Sequence, residues 1–277
     1  GVALPTTISQ YMSAFLVLRC LMREEGALRL ELKKLKVEWS VVRRILQVGL
    51  PAGFQGVVFS LSNVVIQSSL NSFDDPVLVA GSAASANIEG FVYAAMNAFY
   101  QTAITFTGQN YGAGKCDRVD KVARQCVAFV IVVGVVLGNL AYFFGTTLAG
   151  IYAPGEPDVI AQAVIRLAYV SCPYFLCGIM DTMVGVLRGL GYSVVPMVAS
   201  LIGACGLRLV WVAVMFPISR TPETLYVSYP ITWAITASFH ILFFLFVRKR
   251  AYARVRSHGS PSEEAAGAGR PAVRTEE

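Results

Sequence analysis

Within the apolar run 79–110 stand one carboxyl group, Glu89, and the amides of Asn87, Asn97 and Gln101. A charge at the centre of a hydrocarbon-buried helix costs about 2.5–3.5 kcal/mol, so such a group faces a partner, a bundle interior or a wet path. On a helix Glu89, Tyr93, Met96 or Asn97, and Tyr100 recur at i, i+4, i+7 or i+8 and i+11, which is one face. A carboxylate on that face suits carriage of a cation or proton. The rings and amides beside it suit an apolar ligand held by few fixed polar contacts. The small Ser82, Ala86 and Gly90 let a second helix approach. The amides have a plainer reading as interhelical hydrogen bonds worth about 0.6 kcal/mol each.

Asp181 is the second carboxyl candidate, seven residues before Arg188. By position it reads as a carboxyl closing an inner gate or pairing with a basic residue near the cytoplasmic edge. Away from the cytoplasmic ends the spans contain only Arg166 and Arg208 as cations. Depth favours one pairing. At 1.5 Å per residue, Glu89 lies roughly 15 Å below Val79 and Arg208 roughly 12 Å below Phe216, and opposite charges at one depth relieve each other's desolvation. An ion pair between Glu89 and Arg208 is therefore expected, with Asp181 the weaker competitor. Other chemistry finds no template. His240 and His258 are the only imidazoles, Cys172 and Cys177 are five apart, and the motifs of zinc proteases, serine hydrolases and P-loop enzymes do not occur. No metal site, no cofactor and no covalent catalysis are expected.

The elements that must position these groups are membrane spans. Hydrophobic residues make up 55% of the 277 and charged residues 14%, the profile of a polytopic membrane protein. Stretches long enough to cross a ~30 Å hydrocarbon core fall at 48–73, 79–110, 122–145, 159–187, 193–217 and 226–247. Residues 1–21 look like the end of a span cut at its start, so the chain is expected to be a fragment. Basic residues gather at 19–44, 115–124, 188 and 248–256, while the loops 74–78 and 146–158 have none and 218–225 has only Arg220. By the positive-inside rule this fixes an expected orientation with the C-terminus in the cytoplasm. Leu28, Leu32, Leu35 and Trp39 recur at three and four residues, so 22–47 is expected to hold an amphipathic helix on the inner membrane face. Residues 48–250 are then a six-span bundle and 251–277 a disordered tail. Pro51, Pro173, Pro196 and Pro230 lie in or beside spans, where a missing donor permits a bend, and Pro173 is a candidate hinge.

The runs VGLPAGFQGVVFSLSNVVIQSSLNSF, ANIEGFVYAAMNAFYQTAITFTGQNYGAGK and VGVLRGLGYSVVPMVASLIGACGLRLVW, in this order, resemble the multidrug and toxin extrusion (MATE) family of cation-coupled antiporters. The resemblance covers roughly residues 1–250. It implies an all-α integral membrane fold in which this chain is the second six-helix bundle of a twelve-span transporter plus the tail of a preceding span. It also implies a plasma-membrane, multi-pass protein that exports small amphipathic, often cationic compounds by alternating access, coupled to Na+ or H+. The implied partners are small-molecule drugs, the coupling cation, the lipid bilayer and the N-terminal six-span bundle, with no nucleic acid. Phe59, Asn63, Gln67, Tyr93, Met96, Asn97 and Tyr100 are the substrate-cavity candidates, and Glu89 and Asp181 the cation or proton candidates.

The family's pattern is not fully met. Some members place a glutamate in the first span of the second bundle, whereas 48–73 here has no acidic residue. The coupling ion stays open between Na+ and H+. A lipid-linked oligosaccharide flippase of related architecture is the alternative. It would require a cationic cavity, for which only Arg166 and Arg208 are available. A seven-helix receptor fits the count of apolar stretches and the Asp117-Arg118 pair, but the last span has no Asn-Pro-x-x-Tyr and the first connection is too long.

Overall fold

The structure, a computed structural model, describes residues 3–24, 29–31 and 36–257. The chain divides into a unit of residues 1–46 and a unit of residues 47–277. In the first, helix α1 (Ala3–Arg23) is followed by a turn in which the Leu30 amide donates to the Leu21 carbonyl at 2.9 Å. Leu28, Leu32 and Leu35, on which the expected amphipathic helix rested, lie outside the described residues. The described residues of that connection, 29–31 and 36–38, carry no helix, and α2 begins at Trp39.

All regular structure among the described residues of the second unit is helical. Helix α2 (Trp39–Asn71) continues through Pro51, and α3 (Pro76–Gly112) and α4 (Cys116–Phe143) follow. The start of α3 is written in Asp74-Asp75-Pro76. Asp75 accepts from the Val77 and Leu78 amides at 2.9 and 3.3 Å, and Pro76 occupies the first turn, where its missing donor costs nothing. A short helix α5 (Gly145–Tyr152) occupies part of what reads in the sequence as an external loop. The fourth span is two helices, α6 (Pro157–Val170) and α7 (Tyr174–Gly189), bent by 48° at a break containing Pro173. The fifth is α8 (Val194–Ser200), a π-helical turn over Leu201–Gly206 and α9 (Leu207–Ile218). The last, α10 (Pro222–Ser257), runs on past the expected start of the tail. Ala251 is buried and Tyr252 donates to Asp120 at 3.0 Å, so residues 251–257 stay ordered by packing. The rest of the expected tail lies outside the described residues.

Among the described residues five helices are long and apolar enough to cross a membrane, and six spans result if the bent pair counts as one. Their outward faces carry large apolar side chains in the open, Phe91 at 74%, Phe143 at 80% and Leu242 at 66% exposure, which suits hydrocarbon rather than water. Helix α3 packs against α4, α6 and α7, with α7 its most extensive neighbour. Glycines set these approaches. A Cβ on Gly185 would stand 2.7 Å from the Tyr100 carbonyl, and one on Gly81 2.6 Å from the Cβ of Gln162.

Candidate functional site

Helices α2, α3, α6, α7, α9 and α10 enclose a cavity of about 650 Å³, within the usual range for a drug-sized ligand. Of the sequence candidates, Phe59, Asn63 and Gln67 line it from α2, and Glu89, Tyr93, Asn97 and Tyr100 line it from α3. The stripe on α3 is thus real at four positions. Met96 is the exception, since it is fully buried and turned toward α7, where its sulfur would be 2.7 Å from a Cβ on Gly178. At i+7 from Glu89 it falls on the packed side of the stripe, and Asn97 at i+8 takes the cavity side. Asn87 is exposed and its amide donates to the Ala83 carbonyl of its own helix at 3.0 Å.

Glu89 is bound by Arg166, not by Arg208. Nε and Nη2 of Arg166 donate to Oε1 and Oε2 at 3.0 and 3.1 Å, Ser85 donates to Oε1 at 2.9 Å, and Nη1 of Arg166 reaches the Ser82 hydroxyl at 2.6 Å. Each side chain is only 8% exposed. The expected partner fails because depth is one coordinate and packing is another. Gly81 lets α6 lie directly on α3 one helical stretch before Glu89, while α9 packs on α10 and the π turn. The forked geometry satisfies both carboxylate oxygens and orients both groups firmly.

Arg208 lies elsewhere on the same wall, 2% exposed. Its guanidinium sits 4.0 Å from the Tyr229 ring centre, Nη2 donates to the Thr232 hydroxyl at 3.2 Å, and Nε has no partner. Arg188 donates to the Tyr100 hydroxyl at 2.6 Å and to Oε1 of Gln55 at 2.7 Å, tying α7 to α3 and α2. Asp181 is half-buried on the cavity wall and makes no hydrogen bond or ion pair among the described residues. Arg188 thus spends its hydrogen bonds on neutral acceptors and leaves Nε without one, while its charge acts on Asp181.

The sequence reading missed the aromatic wall. Trp233 stands 5.2 Å from Tyr174 and 5.5 Å from Tyr229, and Arg166 lies 5.6 Å from the Tyr226 ring centre. Tyr226, Tyr229 and Trp233 recur at three and four residues on α10, so this stripe was available by the same periodicity that found the one on α3. Among the described residues no three His, Cys, Asp or Glu side chains converge as metal ligands.

The MatE family profile matches residues 51–214. A probable multidrug resistance protein NorM of Thermotoga maritima is 28% identical over 216 residues, 76% of this chain and 44% of that protein. The chain spans about half the length of the curated relatives it matches. A crystal structure of MATE in complex with MaL6 superposes with a TM-score of 0.78 at 11% identity, covering 90% of this chain and 56% of that one. A Vibrio cholerae MATE transporter superposes at 0.67 with 21% identity, covering 82% of this chain and 49% of that one.

Proposed function

Since the chain belongs to the MatE family of membrane transporters, we propose that its 48–250 region is one six-helix bundle of a cation-coupled multidrug antiporter. In this reading the cavity holds the substrate, its second wall comes from an N-terminal six-span bundle, and cation entry alternates with export of small amphipathic compounds. The cell membrane is its site, with the C-terminus in the cytoplasm. The observation that carries the reading is the composition of the cavity wall. Tyr93, Tyr100, Tyr174, Tyr229 and Trp233 supply broad aromatic surface, beside the amides of Gln55, Asn63, Gln67 and Asn97 and the charged groups already described, and such a surface accepts apolar bodies of many shapes.

Of the two carboxyl candidates, Asp181 is the better coupling group. Both carboxylate oxygens of Glu89 accept hydrogen bonds from Arg166, and Oε1 a further one from Ser85, so it acts as a structural partner. Asp181 faces the same cavity without a hydrogen bond and is available to a cation or proton. The test is ethidium efflux from cells carrying the transporter. Asp181→Asn is expected to abolish ion-driven efflux at unchanged membrane expression, while leaving ethidium binding to the purified protein within about threefold. Undiminished efflux would remove Asp181 from the coupling step. Lost binding would make it a substrate contact instead.

A further inference from the structure

The charges on the cavity wall do not balance. Arg166, Arg188 and Arg208 line it against Glu89 and Asp181, three guanidinium groups against two carboxylates. Arg166 is neutralised by Glu89 through two hydrogen bonds. Arg188 is engaged by a phenol and an amide. Arg208 has no carboxylate within bonding distance among the described residues. Its one hydrogen bond goes to the Thr232 hydroxyl, and Nε is without a partner in a side chain only 2% exposed. The Tyr229 ring at 4.0 Å attracts the face of the guanidinium, and of the donors in its plane one goes to Thr232 while Nε is without a partner. A guanidinium carries five such donors in a fork that matches a planar or tetrahedral oxyanion. Buried cations of this kind are stable only when paired or solvated.

We propose that the Arg208 end of the cavity is an anion subsite, which receives the carboxylate or sulfonate head of a small amphipathic compound whose apolar body rests on Tyr174 and Trp233. The inference rests on the reading of this cavity as the substrate site, and it widens the substrate class from cations to anionic and zwitterionic compounds. The volume of about 650 Å³ suits one drug-sized molecule rather than a two-chain lipid. Trp233 packs 5.5 Å from Tyr229, the ring under Arg208, and so reports on occupancy there.

The experiment uses the whole transporter, this chain together with its N-terminal bundle, in zwitterionic nanodiscs with every tryptophan except Trp233 replaced by Phe, Trp39 and Trp211 included. Its fluorescence is titrated with three brominated quenchers, 4-bromobenzoate, 4-bromobenzamide and 4-bromobenzyltrimethylammonium. The expected result is half-maximal quenching by the benzoate at a concentration at least about tenfold below that of the isosteric amide. Arg208→Gln is expected to erase this difference, and Arg208→Lys to reduce it without erasing it. Equal concentrations for benzoate and amide in the unsubstituted chain would overturn the subsite while leaving the cavity reading intact if the amide and the ammonium still quench. A preference that survives in both Arg208 variants would also overturn it, because the anion would then bind elsewhere. If none of the three quenches, the cavity reading falls together with the subsite.

Discussion

Glu89 and Arg166 show what a buried ion pair does for this protein and how it differs from a carrier site. Each side chain is 8% exposed and the pair closes through two hydrogen bonds near 3 Å. Removing one partner leaves the other charged and unsatisfied, at a cost of about 3–5 kcal/mol, whereas replacing both by apolar groups is far milder. Glu89→Gln and Arg166→Met are each expected to lower thermal stability in detergent sharply, and Glu89→Leu with Arg166→Met to recover most of the loss. Additive losses in the double variant would contradict a mutual pair. The position of the carboxyl was legible in the sequence, because the cost of a charge in hydrocarbon singles it out. Its partner was not, because depth along a span says nothing about which spans touch. That is decided by small residues such as Gly81, where an added Cβ would stand 2.6 Å from Gln162. Met96 was misplaced for a related reason, since a helix face one residue wide divides cavity from core.

At the scale of elements, the bend between α6 and α7 is held from outside as well as by Pro173. Gly138 of α4 faces the break so closely that a Cβ there would collide with the Ser171 carbonyl oxygen, and one on Gly134 would lie 2.8 Å from the Phe175 Cα. Both obstacles are backbone and cannot rotate away. Gly138→Ala is therefore expected to destabilise the chain by about 1–3 kcal/mol through overpacking. Gly150→Ala meets only Ile160 at 3.8 Å and is expected to be neutral or to gain up to about 1 kcal/mol from the lost backbone freedom of glycine. Thermal unfolding of the two variants side by side checks this, and equal behaviour would contradict it. At the cytoplasmic ends, Asp120 bonds Arg248 at 3.3 Å, with side chains 31% and 34% exposed. A pair this open contributes about 0–1 kcal/mol, so Asp120→Asn is expected to shift the unfolding temperature little. The spans themselves were legible from apolar length. The short helix α5 and the continuation of α10 past residue 250 were not, because their states depend on tertiary partners and not on local pattern.

For the whole molecule, the aromatic cavity between α2 and the rest of the bundle is the feature that joins fold to transport. Its wall carries groups from six helices, so only their assembly forms it, and the sequence could name the α3 stripe but not the facing Tyr229 and Trp233. The central claim is that a transported compound sits against this wall. The measurement is protection of a cysteine. Asn97→Cys is placed on the wall and Thr147→Cys at an exposed site on α5, each in a chain whose six native cysteines are replaced by Ala, and both are reacted with N-ethylmaleimide with and without saturating ethidium. The account predicts that ethidium slows labelling at position 97 by at least about fivefold and leaves position 147 unchanged. Equal labelling rates at position 97 with and without ethidium, under conditions where ethidium binding is measured independently, would contradict it.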